Sequence, residues 1–136
     1  MRTCANRDVI SHAQHGKDIN GYGSVWTRST PNGIRRGGYQ TGHLPPALRR
    51  LMSERADSIV QVIYSYGTPI AWLDAGMWVI PNVRYSVTTG KHQGYLWKLH
   101  GEPIPFDCPL DEYLRVLNGQ MVYTAKGTAP RENVTS

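Results

Sequence analysis

The densest run of side chains that could do chemistry lies between residues 85 and 93. It contains a phenol, two hydroxyls, an imidazole and an amide, carried by Tyr85, Thr88, Thr89, His92 and Gln93. At the end of a predicted strand, these groups could hold a ligand or transfer protons. Together with Thr68, they could instead form a structural cluster that caps a helix and cross-links the turn after Pro69. Because no carboxylate pair, nucleophile elbow or phosphate-binding glycine loop accompanies them, the sequence favours the structural role.

Metal and thiol chemistry have little support in the sequence. His12 and His15 bracket two residues and could join His43 at a metal, but acids are scarce nearby and a flexible polar segment does not preorganise ligands. Cys4 and Cys108 show no C-x-x-C spacing, and no activating base adjoins them. We therefore expect no metal, no cofactor and no nucleophilic cysteine.

Positive charge is concentrated in the first part of the chain. The 136 residues carry a formal net charge of +5. Residues 1–56 hold nine Lys or Arg against three acids, whereas residues 57–136 hold six against seven. Such asymmetry indicates a segment that contacts an anionic partner, although a solvated surface can have the same composition.

Arginines and aromatic side chains are interleaved in this basic part. The candidate partner-binding residues are Trp26, Arg28, Arg35, Arg36, Tyr39, Arg49, Arg50 and Arg55. This mixture suits phosphate contact with base stacking, and it is equally typical of the anchors of protein interfaces. The sequence shows neither helix-turn-helix spacing nor an RNA-binding aromatic signature, so a nucleic acid and an acidic protein both remain candidate partners.

The regular elements that must position these residues begin with a predicted antiparallel meander. Strands are predicted at residues 22–28, 59–66, 69–73, 77–80, 83–88 and 121–125. The turns at Asp74-Ala75-Gly76 and Pro81-Asn82 are too short for a parallel crossover. Side-chain alternation places Trp72 on the same side of its strand as Ile70.

Apolar spacing predicts helices over 46–57 and 110–117, and either a helix or a strand over 91–100. The expected fold class is therefore α+β, with a three- to five-stranded antiparallel meander, two or three short helices and an irregular basic N-terminal arm. We predict a flexible glycine-rich basic arm at 1–43, one domain at 44–125 and a tail at 126–136.

Two sequence blocks carry a resemblance to a known family. Residues 65–72 read SYGTPIAW and residues 85–93 read YSVTTGKHQ. In that order, the blocks resemble those of small uncharacterised proteins of actinobacterial phages, over about a quarter of the chain. Gly90 stands where the family more often has serine. The resemblance implies a phage origin and expression inside a bacterial host, and it implies no known activity.

The leading hypothesis is a non-enzymatic phage accessory protein that binds and modulates a host protein. The alternatives are a DNA- or RNA-binding protein that uses the same basic residues, and a small enzyme centred on Tyr85, Thr88 and His92. No apolar stretch approaches the roughly 20 residues that cross a bilayer, and the N-terminus is too polar for a signal peptide. We therefore expect a monomer or homodimer, without a membrane partner, in the host cytoplasm.

Overall fold

The strands of the protein form one large sheet and one small sheet. A computed structural model of the chain describes residues 3–4, 9–10, 13, 19–21, 25–83, 93–124 and 127–130. The strands are β1 (Thr3–Cys4), β2 (Ile19–Gly21), β3 (Val25–Ser29), β4 (Ile59–Ser65), β5 (Thr68–Asp74), β6 (Met77–Asn82), β7 (Glu102–Pro105), β8 (Met121–Thr124) and β9 (Gly127–Pro130). The first seven form a sheet in sequence order, and β8 pairs with β9.

The centre of the large sheet is antiparallel, and its two outer pairs are parallel. Strands β2 to β6 pair antiparallel in succession, whereas β1 pairs parallel with β2 and β7 pairs parallel with β6. The β6–β7 connection runs from residue 83 to residue 101, which is long enough for a crossover. The predicted α+β class is confirmed, and the sheet is wider and more mixed than the expected meander.

Tight turns hold β4, β5 and β6 in register. Tyr66 and Gly67 have φ angles of 51° and 77°, and Ala75 and Gly76 have φ angles of 52° and 80°. Two consecutive residues with positive φ form the two-residue hairpin turn whose twist matches that of the strands. The predicted turn at Asp74-Ala75-Gly76 is therefore confirmed.

Three α-helices of the described ranges cover one face of the large sheet. They are α1 (Ile34–Gly37), α2 (Pro46–Glu54) and α3 (Leu110–Leu117), and Leu96–Leu99 forms a 3₁₀ helix. Leu48, Leu51 and Met52 of α2 and Tyr113 of α3 are buried against Trp72 and other sheet residues of this face. None of the helices in the described ranges is long and apolar enough to cross a membrane.

A second hydrophobic cluster covers the other face. Val9, Ile10 and Ala13 pack with Leu96 and Leu99 of the 3₁₀ helix against sheet residues. The sheet is therefore buried on both sides. Within the segment predicted over 91–100, Leu96–Leu99 forms a 3₁₀ helix, in which Leu96 and Leu99 are buried at a spacing of three residues.

The predicted N-terminal arm contributes to the core. Within 1–43, strand β3 pairs with β4 over five residues, and Val25 and Ile34 are almost fully buried. Apolar contacts and ladder hydrogen bonds hold these described parts in the fold, so the boundary at residue 43 is wrong for them. Within the predicted tail, Gly127–Pro130 forms β9.

Three local predictions are also corrected. Pro81 and Asn82 continue β6 alongside β7 and do not form a turn; Val83 lies outside any strand, and residues 84–88 lie outside the described ranges. Helix α2 ends at Glu54 and not at residue 57. Tyr64 of β4 pairs with Pro69 of β5, and Ile63 pairs with Ala71, so the pairing skips Ile70 and β5 bulges there. Because of this bulge, Ile70 lies in the hydrophobic cluster on the other face of the sheet from Trp72.

Candidate functional site

Helix α2 lies over the sheet with α1 and β3 on one side and β7 and α3 on the other. It begins near Thr68, because the His43 amide donates to the Thr68 hydroxyl at 2.9 Å. It ends near Asp74, where the following residue, Arg55, binds the Asp74 carboxylate. Thr68 and Asp74 are the two ends of β5, so α2 runs along that strand.

An aromatic stack lies on the β3 side of α2. The Trp26 and Tyr64 rings are stacked, with centroids 4.0 Å apart and an interplanar angle of 16°. The guanidinium carbon of Arg28 lies 5.1 Å from the Trp26 ring centroid, within cation–π distance. Tyr39 is half-buried and packs against the same core. Burial raises the pKa of the Tyr64 phenol, so it stays neutral at physiological pH.

Short helix α1 carries two further arginines on this side of α2. Arg35 donates from Nε to Asp57 Oδ1 at 2.9 Å and from Nη2 to the Ser53 carbonyl in α2 at 2.8 Å. Arg36 and Arg49 are exposed. We call Trp26, Arg28, Arg35, Arg36, Tyr39 and Arg49 the basic surface. The structure therefore brings most of the predicted partner-binding residues to one side of α2.

Arg55 does not belong to this surface, contrary to the prediction. Its Nε and Nη2 donate to Asp74 Oδ2 and Oδ1 at 2.8 and 2.9 Å, and the Asp74 side chain is fully buried. The chain bends at the end of α2 and directs Arg55 toward the sheet. This two-bond geometry is the strongest that an arginine and a carboxylate can form, so Arg55 stabilises the fold.

The Asp74 carboxylate also joins two aromatic side chains. The Tyr113 hydroxyl donates to Asp74 Oδ2 at 2.7 Å and accepts from Trp72 Nε1 at 2.9 Å. Burial and the nearby Asp74 charge raise the pKa of Tyr113, and the hydrogen bond with Asp74 raises the pKa of Arg55. The network therefore joins β5, α3 and the residue that follows α2.

The second predicted site, around the block at 85–93, is described in part. The Gln93 amide donates to the Val83 carbonyl at 2.7 Å, and Thr68 accepts from the His43 amide. Both described members therefore make hydrogen bonds with the backbone. Tyr85, Thr88, Thr89 and His92 lie outside the described residues.

A cavity that the sequence analysis missed lies on the other side of α2. Its volume is about 390 Å³, and it is lined by Ala47, Arg50, Leu51, Glu54, Asp107, Cys108, Pro109 and Leu110. Leu110 is 37% exposed, and neighbouring Phe106 is 58% exposed. Residues 47, 50, 51 and 54 are spaced so that they lie on one side of a helix. This spacing is the sequence pattern that could have indicated the cavity. Arg50 therefore lies apart from Arg49 and faces this cavity.

Cys108 lines the cavity as a protonated thiol. The residue is 2% exposed, and its Sγ donates to the Pro109 carbonyl at 3.6 Å. Burial, with the charges of Glu112, Asp107 and Asp111, raises the pKa of Cys108 to about 12. A thiol needs its thiolate form to act as a nucleophile, so this environment opposes catalysis by Cys108.

Alkylation of Cys108 is expected to be at least about 1000-fold slower in the folded protein than in the unfolded chain at pH 8. A pKa near 12 in place of 9.0 lowers the thiolate fraction by about that factor. The measurement is the rate of iodoacetamide labelling in a Cys4→Ser background, with the same protein in concentrated urea as the control. A folded rate within about tenfold of the urea rate would contradict the buried, protonated thiol.

The described residues hold no group of three His, Cys, Asp or Glu side chains that could bind a metal. His43 is exposed, and it belongs to no such group among the described residues. His12 and His15 lie outside the described ranges. Two surfaces flank α2 in the described part of the chain: the basic surface and the cavity.

The comparisons with known proteins give a family and no activity. A model of a family of unknown function (DUF8033) matches residues 6–103. The match spans β2 to β6 of the large sheet and the first two residues of β7, together with α1 and α2. No curated protein and no solved structure matches the chain.

Proposed function

The chain belongs to this family of unknown function (DUF8033), and we propose that it is a non-enzymatic protein whose basic surface binds an acidic surface of another protein. The observation that carries the proposal is the arrangement of Arg28 on Trp26 and of Trp26 on Tyr64. Tryptophan, tyrosine and arginine contribute most strongly to protein interfaces when their side chains are held in place before binding.

The rest of the basic surface supports the same partner. Arg35 is fixed to Asp57 and to α2, whereas Arg36 and Arg49 are exposed beside it. Fixed and exposed arginines at the rim of an interface steer an acidic partner and set its orientation.

A protein partner accounts for Trp26 better than a single-stranded nucleic acid does. Base stacking needs an open aromatic face. One face of the Trp26 ring is stacked on Tyr64, and the Arg28 guanidinium lies within contact distance of the ring. Both rings are therefore already engaged inside the protein.

The resemblance to phage proteins extends the proposal. It implies that the partner is a protein of a bacterial host, bound in the host cytoplasm during infection. The proposal of a binding protein over an enzyme is supported by Thr68, Gln93 and Cys108, whose polar atoms make backbone hydrogen bonds.

The test compares two charge-reversal variants as baits. Arg28→Glu/Arg36→Glu alters the basic surface, and Arg50→Glu/Arg115→Glu makes the same charge change on the cavity side. Each is used with the unaltered chain for affinity capture from a nuclease-treated actinobacterial lysate at 150 mM salt, a condition at which weak non-specific charge contacts are screened.

We expect one or a few acidic proteins to be enriched by the unaltered chain and by the cavity-side variant. Their enrichment should fall at least about tenfold with the basic-surface variant, because truncated hot-spot pairs cost about 2 kcal/mol or more. Equal loss with both variants would contradict the proposal. Enrichment that is seen only in a parallel capture from untreated lysate, and that is lost after nuclease treatment, would favour the nucleic-acid alternative.

A further inference from the structure

Opposite charges are segregated on the two sides of α2. Among the residues described in 25–83 and 93–124, the β3 side carries Arg28, Arg35 and Arg36 against Asp57. The α3 side carries Asp107, Asp111 and Glu112 against Arg115. We call Asp107, Asp111 and Glu112 the acidic side. Helix α2 lies between the two and contributes Arg49, Arg50 and Glu54 to the exposed face.

From this pattern we infer that the face carrying α2 pairs with the same face of a second copy of the chain, about a two-fold axis that runs along α2. A rotation about that axis exchanges the two sides of the helix. The basic surface of each copy then lies over the acidic side of the other, and the contact is made twice. This inference goes beyond the proposed function and does not depend on an outside partner.

The charge pattern favours a two-fold axis along α2 over a two-fold axis that lies in the same interface plane but perpendicular to α2. A two-fold axis perpendicular to α2 would leave the sides unexchanged and place arginines over arginines. Juxtaposed like charges oppose association, whereas complementary charges fix the orientation. The charges therefore specify one mode of face-to-face pairing.

Apolar groups at the acidic side give the contact a packing component. Phe106 and Leu110 are two of the three large apolar side chains in the described ranges that are exposed, the other being Tyr66. Leu110 lines the cavity between α2 and α3, and Phe106 immediately precedes the lining residue Asp107. Arg28 and Tyr39 would supply flat, partly apolar surfaces against them. The face is otherwise polar, so the dimer should be weak and sensitive to salt.

The edges of the sheet favour a face contact over strand addition. Pro103 and Pro105 remove two amide donors from β7, which is the last strand of the large sheet. Proline on an edge strand prevents another strand from pairing with it. Strand β1 at the opposite edge has only two residues.

The test measures the association of the full chain by sedimentation velocity between 20 and 500 mM NaCl. Two variants reverse one side each: Arg28→Glu/Arg36→Glu and Asp107→Lys/Asp111→Lys. We expect the unaltered chain to form a dimer whose dissociation constant rises at least about tenfold over this salt range. Each variant alone should remain monomeric.

A one-to-one mixture of the two variants is expected to recover the dimer. In the mixed dimer, introduced glutamates face introduced lysines on one side, and native charges face each other on the other side. Circular dichroism controls for folding. If the Arg28 substitution unfolds the chain, Arg36→Glu/Arg49→Glu replaces it, because both of these side chains are exposed.

Three results would overturn the inference: an unaltered chain that stays monomeric at 20 mM salt, a dimer insensitive to salt, or a variant mixture that stays monomeric. Failure here is distinguishable from failure of the proposed function. The Asp107→Lys/Asp111→Lys variant retains the basic surface, so it should still capture an acidic partner whether or not dimers form.

Discussion

Replacement of Asp74 by alanine is expected to lower the free energy of unfolding by about 3–5 kcal/mol. Asp74 is fully buried and accepts two hydrogen bonds from Arg55 and one from Tyr113. Its removal leaves a guanidinium that is 79% covered without its counter-charge, since the Arg55 side chain is 21% exposed. It also leaves a buried hydroxyl without an acceptor, and such groups are costly.

The measurement is urea unfolding followed by tryptophan fluorescence, with Asp57→Ala as the matched control. Asp57 also binds an arginine at 2.9 Å, but its side chain is 75% exposed. An exposed ion pair contributes about 0–1 kcal/mol, so the control should unfold almost as the unaltered chain does. A loss below about 1 kcal/mol for Asp74→Ala would show that Arg55 and Tyr113 find other partners.

The same network shows why part of the site could not be predicted from sequence. In the sequence, Arg55 comes after two exposed arginines, Arg49 and Arg50, and after the apolar residues of α2. This position is typical of a surface residue. Asp74 precedes Ala75-Gly76 in a turn, where aspartate is common. Only the fold brings the two residues together across 19 positions of sequence.

Elements with strong local signals were predictable. Helix α3 begins after Pro109 and ends at Asn118-Gly119, as capping chemistry indicates. The Gly119 and Gln120 amides donate to the Val116 and Arg115 carbonyls, which completes its C-terminal cap. Short turns likewise predicted the antiparallel order of β4, β5 and β6.

Other features depend on contacts between strands that no local pattern records. The bulge opposite Ile63 and Tyr64 reversed the side expected for Ile70. Gln61, in an otherwise apolar strand, is buried because its amide donates to Thr27 Oγ1 at 2.7 Å on the neighbouring strand. A pairing register must be known before either outcome can be derived.

The basic surface could be predicted from the sequence only in part. Composition alone located the arginines and aromatic residues that α1, α2 and β3 bring together. It could not separate Arg49 from Arg50, which lie on different flanks of α2. The division matters, because one flank belongs to the proposed interface and the other to a cavity with acidic residues at its border.

Replacement of Tyr113 by phenylalanine is expected to lower the free energy of unfolding by about 2–3 kcal/mol. The change keeps the fully buried ring and removes only the hydroxyl, which donates to Asp74 at 2.7 Å and accepts from Trp72 at 2.9 Å. The buried Trp72 N–H then lacks its acceptor, and the Asp74 carboxylate loses one of three donors. A hydrogen bond to a charged group contributes about 1.5–3 kcal/mol.

The control is Tyr66→Phe, which removes the same hydroxyl from a side chain that is 61% exposed; its effect should stay within about 0.5 kcal/mol. A double-mutant cycle with Asp74→Asn separates the hydrogen bond from packing. Because the two residues are in direct contact, their coupling should be about 1 kcal/mol or more. Strict additivity would show that the Tyr113 hydroxyl stabilises the fold through Trp72 alone, and that the carboxylate is held by Arg55 without it.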